Sequence, residues 1–201
     1  MKIILSPPAH NNSEGAPLFT QGQCPLHTIP DTALLGNKRP FFIPDFALRC
    51  AAQLLWAVRI CRLGRSINER FAHRYYDAMT AAVHFTAHPL LEQLQEQALP
   101  WDMACGFDSS LAVGTFQPIN LQAADEVTLR LTCNDAETAA LHLPAALSVI
   151  DRTIAFASQF YTLRQGDIFL IGQHAKQPEV AIDDHLVASC QGHDLLSFNV
   201  K

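Results

Sequence analysis

The chain has 201 residues, of which 49% are apolar and 16% charged, and its net charge is -5. This length and composition are enough to bury one core, so we expect a single domain over residues 1–201. The acidic balance argues against a nucleic-acid or anionic-membrane partner. No segment has the pattern of a signal peptide or a membrane span, which predicts a cytoplasmic protein.

The N-terminal 38 residues are expected to hold a short strand, MKIIL, followed by loop, because the text then becomes rich in Pro, Asn and Gly. Residues 53–61 form an apolar run of strand length, typical of a strand buried on both faces. A helix is predicted from Ser66 to Met79, because Ser66 and Glu69 have the spacing of a capping box. A short strand is predicted at 83–86 and a second helix from Pro89 to Gln97.

Beyond Phe116 the patterns favour strands. Residues 127–133 alternate between apolar and polar types, and a second strand candidate follows at 138–143. Asn134-Asp135 lies between them, which predicts a hairpin. Helical spacing follows at 144–160, and further strands are predicted at 168–171, 181–189 and 195–200. Six scattered cysteines without a Cys-x-x-Cys pair indicate reduced thiols.

Several sequence segments, in the same order along the chain, resemble the fumarylacetoacetate hydrolase family. They are Arg62-Leu63-Gly64 after the buried run, VHFTAH at 83–88, GFD at 106–108, TLRQGD at 162–167 and the closing HLVASCQGHDLLSFNVK. The resemblance covers the chain from Pro40 onward and weakly its start. It implies an α+β, β-rich fold, a mixed β-sandwich roll with a few short helices, and a homodimer.

The resemblance also locates departures from the family's chemistry. Its metal-binding carboxylates fall on Gln53, Leu55 and His84 of this sequence. Mg²⁺ needs oxygen ligands that balance its charge, whereas an amide, an isobutyl group and an imidazole carry no negative charge. We therefore expect no metal and no cofactor, with Mg or Mn required only if the family's enzyme activity is retained.

Other family positions change as well. The lid histidine position falls on Ser13, with His10 nearby as a weak substitute, and the family lysine falls on Cys105. The glycine-rich anion loop becomes GQHAK, beginning at Gly172. Gln53, Leu55, His84, Cys105 and Gly172 are thus expected to line one cleft, which could bind a small carboxylate.

Three functional hypotheses follow. The leading one is a family protein that is catalytically impaired or inactive and serves in small-molecule binding or as a partner protein. The first alternative is an active hydrolase, decarboxylase or isomerase of acylpyruvates or other 2-oxo acids, as the resemblance implies. The second is a metal-independent enzyme that uses Cys105 as a nucleophile.

A transition-metal remnant at His84 and His88 is also conceivable from their spacing. The favoured interpretation is a hydrogen-bonded, buried His84 and an exposed His88.

Overall fold

The computed structural model describes residues 1–6, 26–36, 39–119, 126–144, 146–172 and 177–201. Strands β1 to β12 are, in order, Ile3–Ser6, His27–Ile29, Cys50–Ile60, Tyr76–Ala87, Leu111–Val113, Gln117–Pro118, Glu126–Cys133, Ala136–Pro144, Ile168–Ile171, Glu179–Val180, His185–Cys190 and His193–Asn199. Helices α1 to α3 are His88–Glu96, Asp102–Cys105 and Ala146–Phe160. Short 3-10 helices cover Asp31–Ala33 and Glu69–Arg74.

The strands form two sheets. The larger is mixed, in the order β2-β1-β9-β3-β4-β5, with β10 paired to β3 and β6 paired to β4. Within it, β1 runs parallel to β9, while β3 is antiparallel to both β4 and β9. The smaller sheet is antiparallel, in the order β12-β11-β7-β8. The predicted β-rich α+β class is confirmed.

The β3–β4 hairpin is the centre of the larger sheet and is buried on both faces. One face, which includes Trp56 and Phe85, packs into the main core together with Leu129 and Leu131 of β7. The opposite face, which includes Leu55, belongs to a second apolar cluster. Two-sided burial explains why β3 shows a continuous apolar run rather than strict alternation.

A segment defined by residues 26–36, here called the strap, covers the second face. It begins at β2, which pairs with β1, and ends where the Leu35 N–H donates to the Leu111 carbonyl at 2.8 Å. Ile29 and Ala33 join the second apolar cluster. The strap therefore shields the face of β3 and β4 on which the candidate site residues lie.

The sequence patterns identified many of the elements correctly. The predicted helix over 89–97 and the predicted hairpin are confirmed, and Asn134 and Asp135 have φ of 50° and 65°, as a tight hairpin turn requires. The pattern did not reveal β2, the 3-10 helix within the strap, α2 or the short strands β5, β6 and β10. These elements are too short to show a period.

The prediction of a helix from Ser66 to Met79 is wrong. Only Glu69–Arg74 is helical, as a 3-10 turn capped by the Asn68 side chain, which accepts from the Arg70 N–H at 3.0 Å. From Tyr76 the chain forms β4, whose ladder with β3 extends to Ile60. Pairing with the buried β3 outweighs the local helical pattern, since tertiary contacts override propensity.

Among the described residues, no helix combines the length and apolarity that a membrane crossing requires.

Asp167 ties the start of β1 to the turn before β9. Its carboxylate is 1% exposed, accepts from the backbone N–H groups of Lys2 and Arg164 at 2.8 Å each, and pairs with the Lys2 ammonium at 2.7 Å. Replacing Asp167 by Asn removes the negative charge and places an amide beside the N–H donors. We expect Asp167→Asn to lower the free energy of unfolding by about 3 kcal/mol in urea titrations.

Asp183→Asn is the matched control, because the Asp183 carboxylate is 77% exposed and pairs with Lys201 at the surface. Asp183→Asn should lower the free energy of unfolding by no more than about 1 kcal/mol. Equal costs for the two variants would contradict a special role for Asp167.

Candidate functional site

The structure brings together the five cleft residues that it describes. Gln53 on β3 and His84 on β4 are direct cross-strand partners, and Leu55 is the partner of Ala82 two positions along. Gly172 follows β9 and meets Leu55 closely, since a Cβ on Gly172 would lie 2.3 Å from the Leu55 Cδ2. The Cys105 carbonyl at the end of α2 contacts the His84 ring. His10 lies outside the described residues.

His84 is the most constrained polar group of this cluster. Its Nε2 lies 2.6 Å from the Cys105 carbonyl oxygen, and because a carbonyl only accepts, Nε2 carries the proton. Burial lowers the pKa of His84 to about 4, so the ring is neutral at physiological pH. Its Nδ1 is therefore a bare lone pair, and it is buried without a hydrogen-bond partner among the residues that the structure describes.

His27 on the strap is a second histidine near His84, and sequence reasoning missed it. Its ring stacks on Trp101 with centroids 4.5 Å apart, and its Nε2 lies 3.7 Å from the Asp102 carboxylate. Burial lowers the pKa of His27, opposed by the nearby Asp102 charge. A lone histidine between Pro25 and Pro30 matches no site motif in the sequence. Only the path of the strap brings His27 close to His84.

Cys105 offers its carbonyl rather than a reactive thiol. The residue is 4% exposed, and burial raises the pKa of its thiol to about 11. A nucleophilic cysteine needs a lowered pKa and access to solvent, whereas Cys105 has a raised thiol pKa and is buried. The geometry therefore gives no support to the hypothesis of a Cys105 nucleophile.

The residues at the expected metal positions do not fit Mg²⁺ or Mn²⁺. Gln53 provides one neutral oxygen, Leu55 provides no donor and joins the apolar cluster, and His84 provides one nitrogen. Within the described ranges, no group of three or more His, Cys, Asp or Glu side chains could hold a metal ion. His88 is 40% exposed and contacts Glu92 on α1, so its ring is engaged away from His84.

Comparisons with known proteins identify the family. The family model for the C-terminal domain of fumarylacetoacetate hydrolase matches residues 9–198. The chain belongs to the fumarylacetoacetate hydrolase family. A fumarylpyruvate hydrolase from Pseudomonas aeruginosa, solved in complex with Mn²⁺ and pyruvate, superposes with a TM-score of 0.82 over 100% of this chain and 89% of that one, at 16% identity. That likeness shows the fold alone.

Sequence relatives extend the match along most of both chains. The mitochondrial oxaloacetate tautomerase of Bos taurus is 24% identical over 88% of this chain and 80% of its own length. The oxaloacetate tautomerase of Escherichia coli K12 is 26% identical over 85% of this chain and 78% of its own length.

These relatives correct the main functional prediction made from the sequence. An inactive or impaired protein was expected because the metal-binding carboxylates, the family lysine and the lid histidine are all absent, yet proteins that match along 85–88% of this chain are named as enzymes. The loss of these groups was insufficient to infer inactivity, because a polar group of a different kind, the His84 lone pair, lies among the same residues. The comparisons favour the enzymatic alternative.

The neutral state of His84 predicts a pH-dependent stability. Between the ordinary histidine pKa of 6.5 and about 4, the unfolded chain binds a proton that folded His84 excludes. Stability is therefore fully present above pH 6.5 and falls as the pH decreases, by about 3 kcal/mol for this group once the pH is below 4. Urea unfolding of His84→Gln should show a smaller loss of stability over this window than the parent protein.

His88→Gln is the control, because His88 is 40% exposed and lies outside the cluster. His88→Gln should lose as much stability as the parent protein when the pH falls from 6.5 to 4. An equal loss of stability with falling pH in His84→Gln and in the parent protein would show that His84 is not held neutral.

Proposed function

We propose that this protein catalyses the interconversion of the keto and enol forms of a small 2-oxo acid, with oxaloacetate as the first substrate to test. The observation that carries the proposal is the alignment with oxaloacetate tautomerases over 85–88% of this chain. The fold neighbour solved with pyruvate is consistent with 2-oxo acids as ligands of this architecture. The cytoplasmic location, the single domain and the homodimer stay predictions.

The residues at the cluster suggest how the chain performs this chemistry. In the direction from enol to ketone, the enol hydroxyl donates a hydrogen bond to His84 Nδ1 while C3 takes a proton from water. The hydroxyl proton passes to the resulting hydroxide as the C2–O bond becomes a carbonyl, so the reaction consumes no other reagent. His84 stays neutral throughout, as its pKa of about 4 requires.

Gln53 supplies the complementary group. It is the cross-strand partner of His84 and is 8% exposed. Its amide N–H₂ can donate to the carboxylate of a substrate, while Nδ1 of His84 can only accept. Together the two side chains distinguish the hydroxyl end of an enol from its carboxylate end.

We also propose that the reaction does not depend on a carboxylate-bound divalent ion. The supporting observation is the donor set: one amide, one isobutyl group and one imidazole at the three positions.

The activity prediction concerns ketonisation of enol-oxaloacetate, followed by the loss of enol absorbance after extensive dialysis against a chelator. The parent protein should accelerate this reaction above the buffer rate, and His84→Leu should lower kcat by roughly 10-fold or more, because it removes the hydrogen-bond acceptor for the enol hydroxyl. Gln53→Leu should mainly raise KM, because it removes a contact to the substrate. Melting temperatures of both variants check that they are folded.

His88→Leu is the matched control and should keep the parent rate. A parent protein with no rate above buffer would contradict the proposed function. A full rate in His84→Leu would contradict the role of His84 alone.

The metal prediction is tested by binding rather than by activity. An ion that binds only the folded state at 100 times its Kd stabilises it by about 2.7 kcal/mol. We expect neither MgCl₂ nor MnCl₂ to shift the melting temperature, and elemental analysis of purified protein to find less than about 0.1 ion per chain. The triple variant Gln53→Glu, Leu55→Glu, His84→Asp is the positive control and should gain a Mn²⁺-dependent shift. A stoichiometric Mg²⁺ or Mn²⁺ in the parent protein would overturn the proposal.

A further inference from the structure

The outer edge of β12 carries an interrupted row of hydrogen bonds. The Leu195 carbonyl accepts from the Thr115 N–H at 3.1 Å, and the Asn199 carbonyl accepts from the Phe41 N–H at 2.8 Å. Both carbonyls point away from β11, the only neighbour of β12 in its sheet as described. Because backbone direction alternates along a strand, the N–H and C=O of Ser197, midway between them, face the same side.

No described residue bonds to the Ser197 backbone on that side. The Ser197 side chain is occupied elsewhere, since its hydroxyl lies 3.0 Å from His185 Nε2. Within the described residues, this strand edge thus presents one donor and one acceptor without a partner, between two carbonyls that are already bonded.

A cavity of about 180 Å³ lies at this gap. Its walls are β12 from Asp194 to Phe198, the chain from Ala112 to Thr115, and the residues Leu35, Gly36 and Arg39. Pockets for drug-sized ligands usually measure about 300 to 1,000 Å³, so this one suits a molecule with fewer non-hydrogen atoms than those ligands. Gly114 is required here, because a Cβ at that position would lie 2.5 Å from the Leu195 carbonyl oxygen.

Two residues of opposite charge, Arg39 and Asp194, line the same cavity. The Arg39 side chain lies along Gly36, where a Cβ would approach its Cδ to 3.1 Å. Asp194 belongs to the β12 wall. No ion pair joins Arg39 to Asp194, and neither forms one with another described residue.

We propose that this cavity binds a small zwitterion of the α-amino-acid class. The ligand carboxylate pairs with the Arg39 guanidinium and accepts from the Ser197 N–H, while its ammonium group donates to the Asp194 carboxylate and the Ser197 carbonyl. A guanidinium and a backbone N–H suit a carboxylate, and a carboxylate and a carbonyl suit an ammonium. The site is separate from the cluster around His84 and does not depend on the proposed function.

An added peptide strand fits this edge less well. Strand addition requires a continuous row of free backbone groups. Thr115 and Phe41 already occupy the carbonyls on either side of Ser197, so the described part of this edge offers no continuous row of free groups.

The experiment is an NMR titration of the full-length protein with L-alanine, which carries both charges. Acetate and methylamine, which carry one charge each, are the comparison probes. We expect saturable shifts that include the Ser197 amide for L-alanine, and at least 10-fold weaker binding for either single-charge probe. Raising the NaCl concentration should weaken L-alanine binding, because both charged residues are exposed to solvent.

Arg39→Gln and Asp194→Asn should each weaken L-alanine binding by at least 5-fold. Arg62→Gln and Asp45→Asn remove exposed charges outside the cavity and should leave it unchanged. The proposal is overturned if L-alanine binds no better than acetate, if it fails to saturate, or if the Arg39 and Asp194 variants bind it like the parent protein.

Discussion

The antiparallel pairing of β3 with β4 is the constraint on which the rest of the structure depends. Eleven residues of β3 are registered against β4 from Cys50 to Ile60, and the pair has an apolar core on each side. One core joins the two sheets, and the other is closed by the strap. Because a one-residue slip would exchange the two faces, this register also decides which side chains reach the candidate site.

The register sets Gln53 opposite His84 and sends Leu55 into the apolar cluster beneath the strap. A family resemblance located these three positions, and the structure places them side by side. These side chains differ from a Mg²⁺ site in the atoms of a substrate that they attract. A cation attracts the lone pairs of a substrate, whereas the bare Nδ1 of a neutral imidazole attracts its hydrogens. This difference is the reason for preferring an enol hydroxyl as the group that meets His84.

The features of the fold and site that the sequence could predict are those with a strong local pattern or a register landmark. The apolar run of β3, the Asn134-Asp135 hairpin and α1 each have a period or a turn signal. The first four residues of β4, from Tyr76 to Met79, were predicted as helix, because this short stretch includes Ala78, which suits either structure. His27 and the cavity beside Ser197 depend on the path of the strap and on contact between the two sheets, which no local pattern encodes.

The state of the His84 ring is the central claim, and the ¹⁵N chemical shifts of its two nitrogens test it most directly. Long-range ¹H–¹⁵N spectra of the folded protein should show a protonated Nε2 and an unprotonated Nδ1 at pH 7. The same pattern should persist at pH 5, because burial lowers the pKa to about 4. Two protonated nitrogens at pH 6, or a proton on Nδ1 in place of Nε2, would contradict the account.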